Sequence, residues 1–278
     1  MSIDETSLSD GELYTIVSNK DAKGKRGALA AIILGTKSED IVTALKNIDQ
    51  SVRETVTEIT LDLSSSMRKI AHRAFPKAVQ VTDRFHVQKL AMEALQEMRI
   101  SFRWDAINEE NRQTAENKAA RKRSEDVEEY EPEVFENGDT RKQLLARSRY
   151  LLFKSRNKWT ESQKKRAKIL FELYPDIENA YNLTDELRRI YSSTKIKGVA
   201  YTKLAHWYKH VEDAGYDSFQ VVKQTIYENY IDILNFFDNR STNASAESFN
   251  AKIKNFRAQL RGISDVKYFL FRLQKIYA

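Results

Sequence analysis

The chain has 278 residues, long enough for one large domain or two modest ones, and carries 46 Lys and Arg against 40 Asp and Glu, a formal net charge of +6. It contains no cysteine, which excludes disulfides and thiolate metal sites, and no apolar run near the roughly 20 residues of a membrane helix. With no apolar leader ahead of the first charged residues, the expectation is a soluble protein of the cell interior with no membrane partner.

Eight glycines and three prolines are few breaks for this length, so long helices should dominate. In chain order, residues 12–19 and 27–35 are β-rich and read as two strands joined by a hairpin loop. Residues 37–48 read as a helix with Ile41, Leu45 and Ile48 in one stripe. Residues 56–63 read as a strand with Asp62 at its end, 65–75 as a short helix closed by Pro76, and 78–82 as a strand with Asp83 just past it. A long helix is expected over 85–108, with Val87, Leu90, Ala94, Leu95 and Met98 apolar.

If Ser2 to Thr6 is a first, very short strand, the order is β-β-β-α-β-α-β-α, that of a ribonuclease-H-like fold lacking its last helix. Residues 109–143 are dense in charge and read as a solvated or flexible connector. Residues 143–237 read as several helices, one opened by a Thr160–Gln163 capping box, and others over 200–214 and 219–237. The expected fold class is α/β: a mixed five-stranded sheet with helices over 1–108, an all-α insertion over 109–237, and a completing segment over 238–278.

The last helix is expected from about Ser245 to Arg261, with Gly262 as its stop. Phe249, Ile253, Phe256 and Leu260 form its apolar stripe; Glu247, Asn250, Lys254 and Arg261 lie roughly opposite. From Arg240 to Lys275 there are eight basic and two acidic residues, so the whole positive excess of the chain lies there. A basic surface segment is either a solvated face or the footprint of a phosphate-backbone binder.

Four acids stand out by position: Asp4 in the first strand, Asp62 and Asp83 at strand ends, and Glu247 opening the basic helix. Acid at a strand end often only caps a turn. Gathered together, however, carboxylates repel and raise one another's pKa, a penalty that divalent ions remove.

The runs Thr60-Leu61-Asp62-Leu63-Ser64, Phe75-Pro76-Lys77-Ala78 and Thr82-Asp83-Arg84-Phe85-His86-Val87, with Lys89-Leu90 behind, follow a distinctive order. They resemble the D-M-S, F-P-x-A and D-R-F-H-V-x-K-L core of the DDE transposases of bacterial insertion sequences of the ISL type. The tail Glu247-Ser248-Phe249-Asn250-Ala251-Lys252-Ile253-Lys254 is similar to their E-x-x-N-x-K-I-K helix, and Ile3-Asp4-Glu5 to their opening I-D-E. The likeness spans essentially the whole chain.

The resemblance implies a ribonuclease-H-like core with a helical insertion, and DNA cleavage and strand transfer at element ends by two Mg²⁺ ions, with Mn²⁺ as substitute. It implies Asp4, Asp62 and Glu247 as the catalytic and metal-binding triad. Asp83, His86 and Arg84 are auxiliary in this scheme, and Asp83 is the rival for the second acid. Asn250, Lys252, Lys254, Arg257 and Arg261 are implied DNA contacts. Implied partners are DNA, as element ends and target, and further copies of the chain. The implied location is the bacterial cytoplasm, at the nucleoid. Typical members begin with a cysteine-bearing zinc ribbon and a helix-turn-helix. Without cysteine, and with its first acid at Asp4, this chain resembles the second product of a two-frame element, with a separate protein recognising the DNA ends.

Two other readings stay open: a basic DNA-binding protein derived from a transposase without catalysis, and a structure-selective nuclease on the same fold. Trp159, after a basic stretch, is either core or a stacking platform for an extruded base. His206 and His210 stand one helical turn apart, a spacing that can hold a metal, with no third ligand evident.

Overall fold

The structure, a computed structural model, is described for residues 1–8, 12–123, 128–260 and 265–278. Its strands are β1 (Ser2–Ser7), β2 (Leu13–Ser18), β3 (Leu29–Leu34), β4 (Glu58–Leu61) and β5 (Val79–Thr82). Its helices are α1 (Ser38–Leu45), α2 (Gln50–Arg53), α3 (Ser65–Ala74), α4 (Arg84–Lys122), α5 (Arg141–Arg147), α6 (Arg149–Leu152), α7 (Glu161–Leu173), α8 (Pro175–Ser193), α9 (Lys197–Ala214), α10 (Asp217–Glu228), α11 (Tyr230–Asn239), α12 (Ala244–Gln259) and α13 (Val266–Tyr277).

The chain divides into two compact units. The first comprises residues 1–87, 195–200 and 226–278, the second residues 88–194 and 201–225. The boundaries expected after residues 108 and 237 fall inside α4 and α11.

The first unit is built on a mixed five-stranded sheet in the order β3-β2-β1-β4-β5. The β1–β2 and β2–β3 pairs are antiparallel, the β1–β4 and β4–β5 pairs parallel. Alternation along the strands supplies two apolar faces. Ile3, Val17, Ile59 and Leu61 pack with Ile41 and Leu45 of α1 and with Met67, Ile70 and Ala74 of α3. Ile16 and Leu29, on the opposite face, pack with Phe249 and Ile253 of α12 and Phe269 and Leu273 of α13. Burial of each such side chain stabilises by about 1.5–3 kcal/mol. The sheet edge at β5 is covered by α11, whose Asn235 donates from Nδ2 to the Gln80 carbonyl at 2.8 Å.

The first strand is six residues long rather than very short, because its whole length pairs with β2 from Ser2↔Ser18 to Ser7↔Leu13. Helix α13 was not expected. Asp265 caps it by accepting from the Tyr268 N–H at 3.1 Å, and Phe269 stacks on Phe256 with ring centroids 5.9 Å apart. The expected stop at Gly262 lies outside the described residues.

Among the described residues, the regular elements of the second unit are helices, with one isolated β-bridge between Val134 and Thr140. Charge density does not make a connector of residues 109–122: α4 runs on to Lys122, and Arg112 bridges Glu109 and Glu116 at i−3 and i+4. Opposite charges at that spacing support a solvated helix. Thr160 and Gln163 form the expected capping box, at 3.1 and 3.2 Å, and Gln143 Oε1 accepts from the Thr140 N–H at 3.0 Å. Three buried aromatics bond their polar atoms internally: Trp159 Nε1 donates to the Leu151 carbonyl, Trp207 Nε1 to Leu183 and the Tyr181 hydroxyl to Lys154, all within 2.9 Å. Asp139, fully buried, accepts from Arg166 at 2.8 Å and also from Arg147. Both arginines hold its carboxyl below the usual range, against the upward push of burial. The single helix expected over 219–237 is two, α10 and α11, separated at Asn229.

Candidate catalytic site

Sheet register brings three of the four singled-out acids level. Ser2 of β1 pairs with Thr60 of β4, and Thr60 with Val81 of β5. Two residues further along each parallel strand stand Asp4, Asp62 and Asp83, on neighbours about 4.8 Å apart. They lie at the carboxyl side of β4 and β5, where open α/β sheets gather functional groups.

The three acids have different surroundings. Asp83 is 2 % exposed and has both oxygens committed. Its Oδ1 accepts from the Phe85 N–H at 3.0 Å, and its Oδ2 from the Asn243 N–H at 2.8 Å. It is a clamp joining the start of α4 to the start of α12. Asp62 accepts from the Ser64 N–H at 2.9 Å through Oδ1, and among the described residues its other oxygen has no hydrogen-bond donor. Asp4 accepts from Glu5 N–H at 2.9 Å and from Asn250 Nδ2 at 2.6 Å.

Burial pushes the Asp4 carboxyl up, and the charge of Asp62 adds to that, while the Glu5 amide, His86 and Asn250 pull it down. Glu5 is pushed up by its own partial burial and by Asp62 and Asp4. Asp4 and Asp62 thus form a repelling pair of hard oxygen donors, with Glu5 and His86 within charge reach. Glu5 carried no assigned role in the sequence. Its proximity follows from its place beside Asp4 in a strand paired to β4.

Glu247 arrives on α12, which is pinned at several points. Ser2 Oγ donates to Asn243 Oδ1 at 2.8 Å, Ser245 Oγ to the Lys20 carbonyl at 3.3 Å, and Lys252 Nζ to the Gly24 carbonyl at 3.2 Å. Gly24 has φ +67°, and a Cβ there would stand 2.9 Å from Lys252 Nζ, so glycine serves both the turn and the contact. Glu247 itself is exposed and is not among the charges that shift Asp4. Among the described residues no three His, Asp or Glu side chains are grouped closely enough to hold a metal ion. The structure brings Asp4, Glu5 and Asp62 within charge reach of one another, and Glu247 is exposed on α12.

The remaining expected site residues divide. The Arg84 guanidinium lies 5.9 Å over the Phe236 ring and forms no ion pair with Asp62 or Asp83. His86 packs edge-on to exposed Phe85, with centroids 5.6 Å apart. Asn250, expected to face DNA, is buried against Asp4. Lys254 is exposed, Lys252 is held at Gly24, and Arg257 lies 5.1 Å over Phe269. Arg261 lies outside the described residues. In the second unit, Trp159 is in the core beside Phe171 and Tyr181, with Arg156 over all three rings, so it is no exposed stacking platform. His210 Nδ1 pairs with Glu186 at 2.9 Å.

A family model described as a transposase, of the DDE type and ISL3 group, matches residues 1–273. No curated protein and no solved structure matches the chain significantly.

Proposed function

Because the chain belongs to the ISL3-type DDE transposase family, we propose that it is the catalytic protein of insertion-sequence transposition, cutting and joining DNA strands at the element's ends. The observation that carries this is the level placement of Asp4 and Asp62 on parallel β1 and β4, with α12 pinned beside them. Strand order and direction, with helices on both faces, agree with a ribonuclease-H-like core, and the second unit stands as its all-α insertion.

The donor set suits Mg²⁺ in part: two acids that repel in its absence are present, and the third is exposed on α12. Asp4 and Asp62 would hold the ions, and Glu247 would complete the set. Two such ions supply charge neutralisation at the attacking and leaving oxygens of a phosphodiester. The chain's own part is to hold these carboxylates oriented. Backbone amides of Ser64 and Glu5 and the side chain of Asn250 do this. Asp83 joins the elements that carry them, and His86 bears on Asp4. Exposed Lys254, with Arg257, Lys252 and Arg261 along the same segment, would meet DNA phosphates. We include in this proposal a separate protein that recognises the element ends, assembly of several copies on DNA, and action in the bacterial cytoplasm at the nucleoid.

The lack, among the described residues, of three acids or histidines grouped closely enough to hold an ion favours a second reading, a DNA-binding protein without catalysis. Nicking of supercoiled plasmid in Mn²⁺ by wild type, Asp62→Asn and Glu247→Gln separates the two. The catalytic proposal expects nicking by wild type alone. DNA binding with no nicking by any of the three supports the second reading.

A further inference from the structure

Asn243, at the N-cap of α12, and Asn250 within the helix stand seven residues apart, close to two full turns, and so project from nearly the same face. Glu247 lies between them, four residues after one and three before the other. Both asparagines are buried, at 1 % and 6 % exposure, although α12 is an amphipathic helix whose apolar stripe is Phe249 and Ile253. A buried amide is costly unless it is bonded, and both are bonded to β1 or to the end of β5. Asn243 accepts from Ser2 Oγ at 2.8 Å and donates its backbone N–H to Asp83 at 2.8 Å. Asn250 donates to Asp4 at 2.6 Å. Ser2 and Asp4 are alternate residues of one strand, facing the same side.

We infer that Asn243 and Asn250 are positioning residues: by stapling two successive turns of α12 to Ser2 and Asp4, they set the roll and height of the helix on β1 and so fix where Glu247 presents its carboxylate. This rests on the reading of Glu247 as the third acid. The chemistry of the staple fits the task. An amide orients Asp4 through one oxygen without bringing a positive charge, so the carboxylate keeps its attraction for a cation. A Lys or Arg in the same place would neutralise it. With the Glu5 amide on the other oxygen, the Asp4 side chain is held at both ends of its carboxylate.

The test uses the full-length chain and the variants Asn250→Ala and Ser2→Ala, the second being a milder change should the first fail to fold. Three quantities are read: amide hydrogen exchange at Glu247, whose N–H bonds the Asn243 carbonyl at 2.8 Å; Mn²⁺-dependent plasmid nicking; and affinity for a fluorescent duplex. Positioning predicts faster exchange at Glu247 and nicking slowed by ~100-fold, the penalty of displacing a catalytic group by about 1 Å, with duplex affinity within twofold. Nicking within threefold of wild type overturns the inference. So does a loss matched by an equal loss of duplex affinity, which would make Asn250 a DNA contact. If wild type does not nick plasmid, the proposed function fails, and exchange decides alone: faster exchange sustains the staple, unchanged exchange overturns it.

Discussion

Replacing Asp83 by alanine should destabilise the sheet-bearing unit far more than replacing Asp62 by asparagine, although both acids end neighbouring strands. Asp83 is buried and accepts two backbone N–H bonds, from Phe85 and from Asn243, a residue 160 positions away. Each hydrogen bond to a charged group contributes about 1.5–3 kcal/mol, and alanine leaves the buried Asn243 N–H unpaired, so the expected cost is about 3–5 kcal/mol. At ~2–4 °C per kcal/mol this lowers the unfolding temperature by roughly 6–20 °C. Asp62→Asn keeps an acceptor for the Ser64 amide and removes a charge that repels Asp4 and Glu5, so its stability should stay within ~1 kcal/mol of wild type. Urea denaturation without divalent cation, followed by circular dichroism, reads both. Asp83→Ala within 1 kcal/mol of wild type, or Asp62→Asn losing as much as Asp83→Ala, refutes the division into clamp and site.

Three further outcomes are expected. Asp4 and Glu5 have raised carboxyl pKa values, so the folded state binds more protons than the unfolded state between the ordinary value and the raised one. Their contribution is greatest below the ordinary carboxylate value and is lost as pH rises through the raised one, and Asp4→Asn should flatten that decline in cation-free urea titrations. Asp139→Asn, which leaves Arg147 and Arg166 without their shared anion, should cost about 2–3 kcal/mol by thermal denaturation while duplex binding persists. Lys254→Ala should weaken duplex binding alike for all sequences and reduce the salt slope by ~1, measured by anisotropy across a salt series; an unchanged slope places DNA elsewhere.

The strand-end acids and the apolar stripe of α12 were legible in the sequence because alternation and helical periodicity are local. The work of Asp83 was not, since its second bond goes to a backbone N–H contributed by a residue 160 positions on, and no spacing rule links the two. The continuation of α4 was hidden by composition: a charged run reads as solvent-exposed chain until its opposite charges are counted at i+3 and i+4. Asn250 looked solvent-facing because it is polar and lies off the stripe of Phe249 and Ile253. Only the placing of α12 against β1 turns that side of the helix into a second, polar interface with Ser2 and Asp4. Helix α13 had a readable cap in Asp265 and an i, i+4 pair in Phe269 and Leu273, a signal masked by the expected stop at Gly262.

If Asp4, Asp62 and Glu247 hold divalent cation together, calorimetric titration of Mn²⁺ into the wild-type chain should show binding that is lost or weakened at least tenfold in both Asp62→Asn and Glu247→Gln. Binding that is unchanged in both variants, or absent from the wild type in the presence of duplex DNA, rules that shared site out.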